Sequence, residues 1–467
     1  MNNYEMNRRQ ALITAGLGAL TLGMPGAVIG NDKVDADGNA TRSEKSCIFV
    51  LLCGGPSHID TWDMKPDAPS SYRGPCQPIP TKVPGMRINE MHTELAKVTD
   101  HFMLINSMTH PGGINNHFDA MHNLLSGQSV KRVQQGQPDE QPYLGSFVAK
   151  HKPSKRNLVS NAWLMKCVGD PVFCAPNIGI GGYLGSAYAP VFIGAANNHP
   201  AMDSFKAPEV YDFGNKEDSD RRKYLLANLE SGKLDKVANG KDWSNLRAKA
   251  YEAMTRPEGR QAFDMSREPV KVRERYGMHP LGQNLLLARR MVEAGVRYVT
   301  VNGWAGQAPH DTAGPPSSSW DMHGGNMGMG NAFGDGSYGM NFCLPRLDQA
   351  LSALLSDLKE RGMLKNTLVV CMGEFGRTPK VLDQIPPGRQ HWPQVFSAIL
   401  AGCGIRGGAV YGKSDKTAST IESNPVRPEE LAATIYHALD VPINEPQNNS
   451  GILRPLTTGK PIMELFG

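Results

Sequence analysis

Six short stretches of this chain set acids or imidazoles beside glycine or proline, the residues of turns and loops. GGPSHIDTWD (54–63) carries His58, Asp60 and Asp63, and THPGGINNHFD (109–119) carries His110, His117 and Asp119. NGWAGQAPHD (302–311) carries His310 and Asp311, and WDMHGGN (320–326) carries Asp321 and His323. GEFGRTP (373–379) carries Glu374 and Arg377, and GRQHWP (388–393) carries His391. Carboxylate plus imidazole is the mixed donor set that suits zinc and related divalent ions. Such an ion polarises a phosphoryl or sulfuryl oxygen and activates a water. Each residue also has a plainer role open to it. His58, Asp60 and Asp63 fit turn or helix caps, Glu374 and Arg377 fit a salt bridge across one turn, and His391 fits a satisfied loop histidine. Asp321 and His323 reach one ion together only if their loop is extended.

These loops need elements to hold them. SCIFVLLCG (46–54) is a continuous apolar run that stops at paired glycines, the pattern of a strand buried on both faces. FMLINSM (102–108), VRYVTVN (296–302), TLVVCMG (367–373) and VFSAILAG (395–402) read as further strands. Helical spacing runs through HFDAMHNLLSG (117–127), LGQNLLLARRMVEAG (281–295), LPRLDQALSALLSDLKERG (344–362) and RPEELAATIYHALD (427–440). Gly127, Gly295 and Gly362 stand at stop positions, and Pro428 stands in a first turn. Strand and helix alternate through the second half, which predicts an α/β fold: a mainly parallel sheet flanked by helices. Ligands bind such sheets at the carboxyl ends of strands, where most of the chemistry-bearing stretches fall. We expect one domain from about residue 46 to the end, with a large insertion at about 128–280. Residues 128–215 read as loops with strand fragments, and 217–265 as charged and helix-like.

Bulk properties narrow the classes. The 467 residues carry a formal net charge of +4 with no long basic run, so nucleic acid is not an expected partner. Arg8-Arg9 precede an apolar stretch, Ala11 to Met24, shorter than the ~20 residues a membrane span requires. This reads as an export signal of the twin-arginine type, with an ordinary secretory signal as the alternative. Residues 1–45 are set aside from the fold on that ground. The expected location is periplasmic or extracellular, with no membrane span once the signal is removed. Eight cysteines form no C-x-x-C pair. Cys53, Cys371 and Cys403 lie in or beside apolar runs and read as small buried hydrophobes, while Cys167 and Cys174 are close enough in sequence to bridge in an oxidising compartment.

The order of the motifs resembles domain-of-unknown-function family 1501, a family of exported bacterial proteins that is similar to a distant branch of the alkaline phosphatase and sulfatase superfamily. The resemblance spans about residues 46–466. It rests on the twin-arginine start, GGPSHIDTWD, PDAP, RG, LLSG, WDMHG, LPRLDQALSALLSDLKERG, EFGRTP and GRQHWP. It implies an alkaline-phosphatase-like fold and a metal site. Asp60 would be the first acidic ligand, Asp321 and His323 the middle pair, Glu374 the acid of a later pair, and His391 the lone late histidine. Two departures stand out. Phe375 replaces the histidine of the later pair, which implies one metal rather than two. The nucleophile position, counted back from LLSG, falls at His117, and no Ser, Thr or Cys lies between Pro111 and Leu125.

Two function classes follow. The first is a metal-dependent hydrolase of sulfate or phosphate esters, acting on a small molecule or a polysaccharide outside the cell. Asp321, His323, Glu374 and His391 would hold one divalent ion (zinc, calcium or manganese), and His58 and Asp60 would complete or orient that set. Arg377, whose fork suits tetrahedral oxyanions, and His117 would contact the anion or manage protons. The second class is a non-catalytic descendant that binds a glycan or a protein partner.

Overall fold

The strand-and-helix alternation predicted above is present in a computed structural model. It describes residues 44–128, 141–156, 159–166, 168, 179–206, 261–309, 320–336, 338–449 and 452–467. Residues 1–43, where an export signal is expected, lie outside the described residues, as do Cys167, Cys174, His310, Asp311 and most of the charged 217–265 block.

Among the described residues the main sheet has eight strands: β1 (Ser46–Leu51), β2 (Phe102–Met108), β3 (Asn161–Leu164), β4 (Val191–Ile193), β5 (Tyr298–Asn302), β6 (Thr367–Met372), β9 (Phe396–Ala401) and β10 (Ala409–Tyr411). A separate two-stranded pair, β7 (Gly376–Arg377) and β8 (His391–Trp392), lies between β6 and β9 in sequence. Across the main sheet the order is β10-β2-β9-β6-β1-β5-β3-β4. β1 pairs in parallel with β5 and β6, and β9 runs antiparallel to both β6 and β2. That reversal has a local cause. A parallel return needs a long crossover, usually a helix, and residues 373–395 contain none.

β1 explains why its sequence is apolar throughout. Ile48 and Val50 enter one core, where α3 (Pro280–Ala294) and α4 (Met340–Glu360) contribute Leu281, Leu285, Leu344, Leu347 and Leu351. Cys47, Phe49 and Leu51 enter the other, against Leu124 of α1 (His117–Ser126), Phe147 of α2 (Leu144–His151) and Ile435 of α5 (Pro428–Ala438). Each fully buried aliphatic or aromatic side chain contributes on the order of 1.5–3 kcal/mol, so layers on both faces fix the register of the central strand. The predicted stops hold: Gly127 (φ 64°) and Gly295 (φ 112°) end α1 and α3 in the left-handed conformation. α4 begins four residues earlier than the leucine stripe suggests, at Met340, and accommodates Pro345 within its early turns. Cys53, Cys371 and Cys403 are buried and unbridged, as small hydrophobes. Among the described residues no helix is long and apolar enough to cross a membrane.

Candidate functional site

β1, β2 and β6 point the same way, so their carboxyl ends share one edge of the sheet. Past β1 come Gly54 and Gly55, past β6 comes Glu374, and past β2 comes His117 as the first residue of α1. Asn116 caps that helix, its side chain accepting from the Asp119 amide at 2.9 Å. Asp321 and His323 fold back on each other, the Nδ1 of His323 donating to Asp321 Oδ1 and the His323 amide reaching the same oxygen at 3.3 Å. The short β7/β8 pair sets His391 opposite Arg377.

His117 lies between two carboxylates. Its Nδ1 is 2.6 Å from Glu374 Oε1, and its Nε2 is 3.2 Å from Asp321 Oδ2. The Gly54 amide donates to both Glu374 oxygens, at 2.9 and 3.2 Å. His110 holds the same residue from its backbone, Nε2–H donating to the Glu374 carbonyl at 2.5 Å while Nδ1 accepts from Asn123 at 3.0 Å. Burial pulls the pKa of His117 down, but the hydrogen bonds to Asp321 and Glu374 outweigh it and raise the value to about 9. Burial likewise opposes ionisation of Asp321, yet the Arg377 charge and the hydrogen bonds from His117 and His323 hold it well below the usual carboxylate range. His391 goes the other way: burial, then the Arg377 and His117 charges, push it down to about 3. It is therefore a neutral imidazole. Nδ1–H donates to the Asn115 carbonyl at 3.1 Å, which leaves the lone pair on Nε2. That Nε2 is buried and has no hydrogen-bond partner.

One ligand atom each from His117, Asp321 and His391 lie within 4.8 Å of one another. Two imidazoles and a carboxylate, with an orphaned lone pair among them, fit a divalent cation. The His323 ring stands 4.6 Å from that of His391. Phe375, which resemblance marks as the place of a missing histidine, is an apolar wall instead, with its ring 4.8 Å from His117 and 4.5 Å from His391.

Of the residues singled out from the sequence, His117, Asp321, His323, Glu374, Arg377 and His391 are gathered, with four of them in other positions than expected. His117, expected to contact the anion or manage protons, joins the trio, while His323, expected as a ligand, stands beside it bonded to Asp321. Glu374 stands behind His117 rather than in the trio. Arg377, expected to contact an anion, is fully buried with its guanidinium engaged: Nε donates to Gly55 O at 2.9 Å, Nη1 to Arg389 O at 3.2 Å, and Nη2 to Gly54 O, with Asp321 Oδ1 2.9 Å from Nη2. It is a tether, not an open anion contact. His58 and Asp60 do not join the cluster. His58 Nε2 is bonded to the Ala418 carbonyl at 2.9 Å. Both Asp60 oxygens are bonded to Arg389, at 2.6 and 3.0 Å. An acid whose two oxygens are saturated by a buried guanidinium is not available to a cation. From the sequence His110 was named without a role, and the amide and carbonyl of Gly54 and Arg389 were missed. Each had a signal, since all three sit inside motifs already singled out.

The family model described as "Protein of unknown function (DUF1501)" matches residues 44–466. The chain belongs to the DUF1501 family. No protein of curated function matches this DUF1501 chain in sequence. Solved structures similar to it include a phosphonate monoester hydrolase from Silicibacter pomeroyi, at 11% identity and a TM-score of 0.41, covering 90% of this chain and 76% of that one. The lipoteichoic acid synthase LtaP from Listeria monocytogenes matches at 10% and 0.36, covering 92% and 78%. The PsFucS1 sulfatase from Pseudoalteromonas sp. matches at 12% and 0.37, covering 85% and 68%. At such identities the chemistry of the DUF1501 chain is a matter for its own side chains.

Proposed function

We propose that this protein is an exported, metal-dependent hydrolase of sulfate or phosphate esters carried on a small molecule or a polysaccharide. The observation that supports it most is the meeting of His117, Asp321 and His391, with a buried, unpartnered Nε2 on His391. These three residues would hold one divalent ion. Imidazole donors favour zinc or manganese over calcium, which prefers an all-oxygen shell. Once bound, the cation would supply Lewis-acid polarisation of the ester's anionic oxygens.

The chain's own residues do the rest. Asn115 fixes the tautomer of His391, and Gly54 with His110 fixes Glu374. Glu374 orients His117 and draws a proton toward Nδ1. His117 opens α1, whose N-terminal partial charge favours an anionic group beside the trio. No hydroxyl or thiol lies between Pro111 and Leu125, and the nearest upstream hydroxyl, Thr109, points to the His110 carbonyl at 3.3 Å. Water is therefore the attacking group in this reading, while His117, with Nδ1–H committed to Glu374 and Nε2 turned to the trio, serves as a ligand and not as a proton acceptor.

The test is metal analysis of tag-free protein, followed by assays on aryl sulfates and aryl phosphates. About one equivalent of zinc or manganese is expected, and His391→Ala should lose both the metal and the hydrolysis. Metal-loaded protein that binds sulfate or phosphate without turnover would favour the binding module instead.

A further inference from the structure

Arg389 bonds to several separate stretches of the chain, and to no member of the trio directly. Its side chain is fully buried. Nε and Nη2 grip both oxygens of Asp60, and Nη2 also donates to the Tyr72 carbonyl at 2.8 Å. Nη1 donates to the Thr378 carbonyl at 3.0 Å and to that of Pro379. The backbone of the same residue is engaged as well. Its amide donates to Met322 O at 2.6 Å, between Asp321 and His323, and its carbonyl accepts from Arg377 Nη1. Two residues on stands His391.

The glycines around it record how tight this junction is. A Cβ on Gly388 would lie 2.4 Å from His323 O, and one on Gly74 (φ +68°) would lie 2.2 Å from Asp60 Oδ1. The motifs RG, HIDTWD and GRQHWP thereby acquire one shared physical reason. They close a joint between the 321–323 segment, the β7/β8 pair and the chain from 60 to 74.

We propose that Arg389, neutralised by Asp60, is the positioning residue of the candidate metal centre: its side chain clamps the chain from 60 to 74 to the strand pair bearing His391, and this holds its backbone amide on Met322 O and so brings the segment bearing Asp321 to His391. The inference rests on the metal-site reading above. It also gives Asp60 a role other than ligation. Lysine cannot replace arginine in this place, since an ammonium has neither the planar fork for Asp60 nor the reach to the Tyr72 carbonyl and those of Thr378 and Pro379 at once.

The experiment compares Arg389→Lys, Asp60→Asn and, as a control on a remote buried arginine, Arg289→Lys, each at a temperature where circular dichroism shows it folded. Zinc affinity is measured by isothermal titration, and backbone hydrogen exchange is measured on the metal-free proteins. Arg389→Lys and Asp60→Asn should bind zinc about 10–100-fold more weakly. Both should also exchange faster at the Arg389 and Thr378 amides, which bond to Met322 O and Gln390 O. Arg289→Lys should lower the melting temperature and leave zinc affinity as it is. Folded Arg389→Lys with wild-type affinity and wild-type exchange at those amides overturns the proposal. If wild type takes up no zinc, the metal reading falls, and exchange alone decides the clamp: acceleration in both segments supports it and no change overturns it.

Discussion

Among the described residues the protein buries two dense charge clusters around an arginine and several carboxylates, and they are built differently. One joins α3 to α4. Arg289 contacts Glu268 at 2.7 Å, Glu293 at 2.7 Å and Asp357 at 3.0 Å, while Arg290 adds to Glu268 and Arg361 to Asp357. Tyr276 donates to Asp357 at 2.8 Å. The cations here are all guanidinium groups, which cannot give up a proton or bind a metal. The other cluster holds Asp321 and Glu374 against Arg377 and His117, with neutral His391 alongside. Here a titratable imidazole stands between the carboxylates, and a second imidazole keeps a buried lone pair unused. Charge density alone does not mark a site. Replaceable protons and an unmet donor do.

The sharpest way to break this comparison is to remove the central cation of the α3/α4 network. Arg289→Met leaves Glu268 and Asp357 buried with only their outer partners. Loss of one member of a buried ion cluster costs about 3–5 kcal/mol. Denaturant unfolding should show a loss of that order, with metal content unchanged. A variant as stable as wild type would mean that the two clusters do not differ as stated.

A smaller effect separates them by pH. The folded-state pKa of His117, raised to about 9, lies above that of an ordinary histidine, so the folded state holds this proton where the unfolded chain has released it. The stabilisation is fully present below an unfolded value of about 6.5 and is lost as pH rises through about 9. The α3/α4 network runs the opposite way. Burial raises the pKa of Glu268, but Arg289 and Arg290 outweigh this and leave it lowered, so its contribution is lost only in acid. Metal-free wild type should therefore lose melting temperature between neutral pH and pH 10 relative to His117→Gln. Parallel curves for the two proteins would count against the carboxylate–imidazole–carboxylate arrangement.

How far each region could be read beforehand follows from what encodes it. The central strands and the longer helices were readable because a strand covered on both faces must be apolar throughout, and a covered helix must repeat its apolar residues near every turn; α2, β4 and β10, short and set in mixed sequence, were not. β1, α3 and α4 meet those conditions. The direction of β9 was not encoded in its own residues. It follows from the absence of a helix in the preceding connection. Asp321 and His323 were readable as a pair because they are local, closing on each other within one turn. Asp60 was not. An aspartate just past a strand suits a cation or a guanidinium equally, and its partner lies 329 residues away. Arg377 was misread for a related reason: besides Asp321, its partners are backbone carbonyls at 54, 55 and 389, and any residue type could supply those.

The smallest prediction tests the rim of the structural cluster. Glu293 reaches Arg289 at 2.7 Å and Arg361 at 3.3 Å, but its side chain is 45% exposed. Water screens such a pair and the long side chains lose freedom in forming it, so Glu293→Gln should cost about 0.2–1 kcal/mol, far below Arg289→Met. The interior of the network differs because Glu268 and Asp357 are nearly sealed from solvent, at 7% side-chain exposure each. The gradient from Glu293 inward thus measures burial with chemistry held constant. A cost for Glu293→Gln comparable to that of Arg289→Met would show that the network acts as one unit, whose stability is set by connectivity rather than by depth.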